Sequence, residues 1–208
     1  MTPDEQLDFL HDQKVASCTR CPLHEHRTHA VLGEGSAEAA VFFVGEGPGA
    51  QEDQLGRPFV GRAGVYLNNI LKHARLTREE VYITNLVKCH PPGNRDPEAG
   101  EIATCSSFLH AQVAVVKPDL IVALGPLAGN AMTDQSPALS EEVLQRRLWT
   151  YRNPSTGFEA PVVCIHHPAH LMRLRNDPEA LRPIYRDTVA SLRRAIAQTK
   201  KLDLDFDF

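Results

Sequence analysis

Four short runs of this chain, Ala39–Val44, Val81–Val87, Leu120–Leu124 and Val162–Ile165, are almost continuously apolar and rich in β-formers. Runs of that length without polar alternation suit strands buried on both faces. The stretches between and after them carry helical periodicity instead: Ala63–Ala74, Glu98–Val116, Leu127–Met132 and Pro178–Lys200. A further amphipathic helix is expected over residues 3–16, opened by Thr2-Pro3-Asp4. This alternation predicts an α/β fold, a parallel sheet with helices on both faces. Residues 134–160 read as irregular, with a hairpin around Trp149-Thr-Tyr151.

At 208 residues the chain suits one packed domain, 1–208, with 202–208 as a flexible acidic tail. No apolar run approaches the roughly 18–20 residues that span a bilayer. The polar, acidic start does not resemble a signal peptide, so a cytoplasmic protein is expected. The net charge of −4 weighs against a nucleic-acid partner. Part of that acid lies in the tail, however, and a local basic face is compatible with an acidic total.

Ligands of parallel α/β sheets bind beyond the carboxyl ends of the strands. The unusual chemistry of this chain gathers there. The first strand runs into Gly45-Glu-Gly-Pro-Gly49, the second ends at Asn85, the third at Gly125-Pro126, and the fourth at His166-His-Pro-Ala-His-Leu-Met-Arg173. The glycine loop lacks the Lys-Ser/Thr of a nucleotide loop and suits close approach of a substrate. Glu46 is either a cap or a catalytic carboxylate. Phe59, framed by Gly56 and Gly61, is either core or a surface for stacking a flat ligand. Asn85 offers a donor and an acceptor side by side, as reading a base edge requires. Leu171 and Met172, beside Arg173 and Arg175, are either packing or a wedge into a base stack.

Four of the five cysteines form one pattern: Cys18-x2-Cys21, then Cys89 and Cys105. In a reducing compartment this spacing favours a metal centre over disulfides. Zinc and a [4Fe–4S] cluster both take four thiolates, and spacing does not separate them. Cys164 falls in a buried strand and reads as a core residue.

Taken together, these segments resemble family 4 uracil-DNA glycosylases, the iron–sulfur type of bacteria and archaea. The resemblance rests on Cys18–Leu23, Gly45–Gly64, Val81–Pro97, Cys105, Pro118–Gly125 and His167–Arg173, in the family's order, and covers roughly residues 15–190. It implies a four-stranded parallel sheet between helices and a [4Fe–4S] cluster on Cys18, Cys21, Cys89 and Cys105. His90, His170 and Met172 depart from the residues common at those positions. A related group captures uracil covalently through a histidine on a basic inserted loop, and no such insertion follows Lys88 here.

The resemblance implies a substrate, uracil-containing DNA, and a monomeric, nucleoid-associated repair enzyme. Its reaction is hydrolysis of the N1–C1′ bond of a flipped deoxyuridine, leaving an abasic site. Phe59 would stack on the uracil, Asn85 would pair with its O4 and N3, and backbone near Gly47 would reach O2. His167 would donate to the departing anion, and Glu46, or Glu52 as a second candidate, would handle the water. Leu171 with Met172 would be the wedge. Arg57, Arg62, Lys88, Arg95, Arg173 and Arg175 would contact phosphates. Competing classes are a zinc-stabilised nucleic-acid-binding module, the uracil-capturing relative, and a hydrolase built on Cys164. The tail Lys200–Phe208 is similar to acidic, Phe-ended tails that dock onto repair or replication proteins, which implies a protein partner there.

Overall fold

The computed structural model describes residues 1–133, 139, 140, 142, 145 and 147–199. The acidic tail and its expected docking role lie outside the described residues. At the centre stands one sheet of six strands: β1 (Glu34–Gly35), β2 (Val41–Gly45), β3 (Tyr82–Asn85), β4 (Leu120–Leu124), β5 (Trp149–Arg152) and β6 (Glu159–Ile165). Their order is β1-β3-β2-β4-β6-β5. The inner four are parallel and fall on the four apolar runs. The expected four-stranded sheet is corrected by two antiparallel edge strands, β1 against β3 and β5 against β6. The first is two residues long, too short to leave a pattern. The second is the expected hairpin arm, and only its Tyr151 is buried.

Helices α1 (Pro3–Leu10), α2 (Ala50–Leu55), α3 (Arg62–His73), α4 (Ala99–Val116), α5 (Gly125–Thr133), α6 (Pro168–Arg173) and α7 (Pro178–Gln198) complete the described fold. A capping box between Thr2 and Glu5 starts α1. The helix expected over 3–16 divides, and His11–Val15 forms a π-helical turn. The helices α2 and α6 were not expected, because six residues are too few to show a period.

Alternate residues of β2 serve opposite layers. Phe42 and Val44 pack with Leu7 of α1, Val113 of α4 and Met132 of α5. Val41 and Phe43 pack with Leu67 of α3, Leu171 of α6 and Leu192 of α7. Both rings are fully buried, and each contributes roughly 2–3 kcal/mol through burial. Chain leaving β2 and β6 therefore turns to one layer, while chain leaving β3 and β4 turns to the other. Where neighbouring strands diverge in this way, a crevice opens beyond their carboxyl ends.

Candidate active site

A cavity of about 440 Å³ occupies that crevice, and Glu46, Phe59, Asn85 and His167 all line it. They arrive on separate elements: Glu46 after β2, Phe59 on the loop after α2, Asn85 at the end of β3 and His167 at the start of α6. Gly45 and Asn85 are register partners in the sheet. A Cβ on Gly45 would lie 2.4 Å from Asn85 Oδ1 and 2.5 Å from the Phe59 ring, so only glycine leaves room for both.

Asn85 is 1% exposed, and its Oδ1 is a buried acceptor with no hydrogen-bond partner. Leaving such a group unpaired costs about 1–3 kcal/mol, so a donor is missing from the wall it faces. The Phe59 ring lies 6.0 Å from the His167 ring, tilted by 40°. Phe59 holds a left-handed backbone, φ 50°, and the missing Cβ of Gly64 makes room for its carbonyl. His167 Nδ1 accepts the backbone N–H of Ala169 at 3.0 Å. The ring proton of the neutral imidazole is then on Nε2, which makes that atom the donor. Gly125, at φ 85°, brings the Glu46 carboxylate and His167 together: a Cβ there would lie 3.2 Å from Glu46 Oε1 and 3.0 Å from His167 Cβ.

Glu52 lines the same cavity, but its Oε1 accepts the N–H groups of Val60 (2.9 Å) and Gly61 (2.7 Å). That carboxylate organises the loop carrying Phe59.

A second, smaller cavity is lined by Cys18, Cys21, Cys89 and Cys105, with Arg27 and Lys88 beside them. The first two come from the segment before β1, Cys89 from the turn after β3, and Cys105 from α4. Arg27 donates to Cys89 Sγ at 3.1 Å and to the Cys18 carbonyl at 2.8 Å. Burial pushes the Cys89 thiol up, against the opposing hydrogen bond from Arg27. Among the described residues, no three His, Cys, Asp or Glu side chains converge on one ion-sized point. Cys164 is buried, its Sγ 3.4 Å from the Gly125 carbonyl.

The sequence model of the Uracil DNA glycosylase superfamily matches residues 32–189, which contain every group lining the larger cavity. The chain belongs to the uracil-DNA glycosylase superfamily. Curated relatives in it include the type-4 uracil-DNA glycosylase of Thermotoga maritima, 42% identical over 83% of this chain and 87% of the relative. That of Pyrobaculum aerophilum is 38% identical over 80% of this chain and 85% of its own length. That of Saccharolobus solfataricus is 36% identical over 97% and 91%. These similarities place the chain in the type-4 family.

Within this superfamily member, the residues expected at DNA separate into groups. Arg62, Met172 and Arg173 line the mouth of the larger cavity, as does Arg95. Arg95 also makes a fork to both oxygens of Glu101, at 2.7 and 2.9 Å. Arg57 is exposed and paired with Glu34 at 2.8 Å. Arg175 is exposed on the short turn after α6.

Two expectations are corrected. Lys88 is 1% exposed, and its Nζ donates to Thr84 Oγ1 at 2.7 Å and to the Asn85 carbonyl at 2.6 Å, so it does not reach a phosphate. Burial pushes its ammonium down to about 8, against the opposing pull of the Cys105 and Cys89 sulfurs. Leu171 is fully buried in the core beside α3, so it does not present a wedge; Met172, one residue on, faces the cavity.

Sequence reasoning missed Arg78. Its guanidinium donates to the carbonyls of Pro58 (2.7 Å) and Phe59 (3.1 Å) and is held by Glu34. A single charge in the polar turn after α3 carries no local signal of such a contact.

Proposed function

We propose that this chain is a monofunctional uracil-DNA glycosylase of base excision repair. It hydrolyses the bond between uracil and deoxyribose in DNA and leaves an abasic site. The observation that carries this reading is the unpartnered Asn85 Oδ1 in the wall of a cavity shared with Phe59 and His167. Uracil offers an N3–H donor next to its O4 acceptor. Cytosine offers a lone pair at N3 and a donor at N4. An amide whose oxygen awaits a donor therefore selects uracil, and the names of the type-4 relatives support the same substrate.

The target base is unreachable in a stacked duplex and is first flipped out, at a cost of a few kcal/mol, least at a mismatch. Phe59 stacks on the extruded ring, and backbone near Gly47 reaches O2. As the N1–C1′ bond breaks, its electron pair leaves with the uracil, and the Nε2–H of His167 stabilises the anion. The sugar becomes cationic, as in glycoside hydrolysis. Glu46 stabilises that cation and orients water, whose oxygen bonds to C1′ while its proton passes to the carboxylate and then to solvent. Met172 fills the vacated stack. Arg62, Arg95 and Arg173 at the mouth, with Arg57 and Arg175 outside it, contact phosphates and position the duplex.

Cys18, Cys21, Cys89 and Cys105 would hold a [4Fe–4S] cluster, a reading supported by four sulfur donors around one cavity. When bound, the cluster supplies cross-linking between the segment before β1, the turn after β3 and α4. No reaction step needs it.

The test is cleavage of U·G, U·A and single-stranded uracil substrates, with Glu46→Gln as control. Heat- or alkali-labile abasic products are expected with the wild type, with turnover reduced about 100-fold in the control. A stable protein–DNA adduct, or no product, would reject the proposal.

A further inference from the structure

Lys88 is among the largest fully buried side chains described, yet it carries a cation. Isolating an ammonium in a protein interior costs several kcal/mol unless it is paired and hydrogen-bonded. Among the described residues no carboxylate forms an ion pair with it. Two of its three protons are donated, to Thr84 Oγ1 and to the Asn85 carbonyl. The same residue lines the cysteine cavity, its backbone serves Cys105, and its carbonyl accepts the Val31 N–H at 2.7 Å. Lys88 thus lies between the cysteine set and the backbone of Asn85.

The segment it anchors carries Asn85 into the wall of the larger cavity and is bonded to the end of β2. Leu86 N–H donates to the Gly45 carbonyl at 2.9 Å and Val87 N–H to the Glu46 carbonyl at 3.2 Å. A shift of this turn would move Asn85 relative to Glu46 and Phe59 together. Sites of this kind lose function through displacements of an ångström or less.

We propose that Lys88 is a positioning residue: it ties the peptide of Asn85 to the cysteine-lined centre, so that the centre fixes the base-reading amide rather than the DNA. The proposal rests on the reading of Asn85 as the uracil-contacting residue.

The experiment uses the iron-loaded enzyme and measures three quantities for Lys88→Met: inhibition by free uracil, affinity for abasic-site DNA, and iron per chain. Free uracil probes the amide, whereas abasic DNA binds through phosphates. The expected result is about tenfold weaker uracil inhibition with abasic-DNA affinity and iron content retained, the size of one charge-assisted contact. In an Asn85→Ala background, Lys88→Met should add no further loss of uracil affinity, as for two residues acting as a unit. Unchanged uracil inhibition, equal losses on both ligands, or additive losses in the double variant would overturn the proposal. If Lys88→Met does not fold or does not retain iron, Thr84→Val, which removes one acceptor of Nζ, decides: a selective loss on uracil supports the link, and none overturns it. Asn85→Ala with wild-type uracil inhibition would instead overturn the reading of Asn85 itself.

Discussion

Arg78 donates to the carbonyl oxygen of Phe59 at 3.1 Å, and so a guanidinium fixes the backbone of the aromatic ring that faces the cavity. Phe59 needs that support. A non-glycine residue at φ 50° is disfavoured by roughly 1–2 kcal/mol. Replacing Arg78 with Met should release the Pro58–Phe59 turn. Single-turnover cleavage of a U·G duplex should fall about tenfold, equivalent to ~1.4 kcal/mol. Iron content should be unchanged. Wild-type cleavage by this variant would show that the turn holds itself.

Glu34 is the anchor behind Arg78. Burial pushes its carboxyl up, but hydrogen bonds from Arg57 and Arg78 outweigh burial, and the net shift is below the ordinary 4.5. A carboxyl depressed on folding adds stability above its unfolded value and loses it as pH falls through the folded one. Thermal melts should therefore show this contribution intact at neutral pH and declining below about pH 4.5. Glu34→Gln should melt lower at pH 7 and converge towards the wild type in acid. A constant difference across that window would contradict the assignment.

Asn85→Asp should weaken the choice of uracil over cytosine. At neutral pH the carboxylate has no donor for O4 and repels it, while the N4 donor of cytosine finds an acceptor. The ratio of single-turnover rates on U·G and C·G duplexes should drop by at least about 10-fold, chiefly through slower uracil release. An unchanged ratio would move base selection to another residue.

Gly45→Ala tests the closeness of Asn85 and Phe59 directly. The added methyl meets both within 2.5 Å. Overpacking of this kind costs about 1–3 kcal/mol, so the protein should still fold, with a lower Tm. Cleavage should be nearly lost, because the two groups that flank the base are displaced together. Full activity with a lowered Tm would place the strain elsewhere.

The four parallel strands were legible because each is buried on both faces, and such runs have no other reading at that length. The edge strands were not, since β1 is two residues and β5 buries only Tyr151. Position at the carboxyl ends of the apolar runs marked Glu46, Asn85 and His167, because ligands of a parallel sheet bind beyond that edge. Lys88 was misread for a physical reason: a lysine beside His-Pro-Pro-Gly-Asn-Arg looks solvated, and nothing local announces that Thr84 and a carbonyl enclose its ammonium. Leu171 and Met172 were indistinguishable until α6 formed. Neighbours on a helix point about 100° apart, so one faces the core and the other the cavity.

The cysteines of the smaller cavity are delivered in an order that matters for making the protein. Cys18 and Cys21 precede every strand, whereas Cys105 lies on α4, after β3. During synthesis the first pair leaves the ribosome well before its partners and before the sheet that carries them exists. Metal captured by the pair alone would be held by half a site. All four sulfurs are available only once α4 has emerged, when β1–β3 but not β4–β6 have been made, so a metal centre proposed on the full set would close around half a sheet and be in place before the other half arrives.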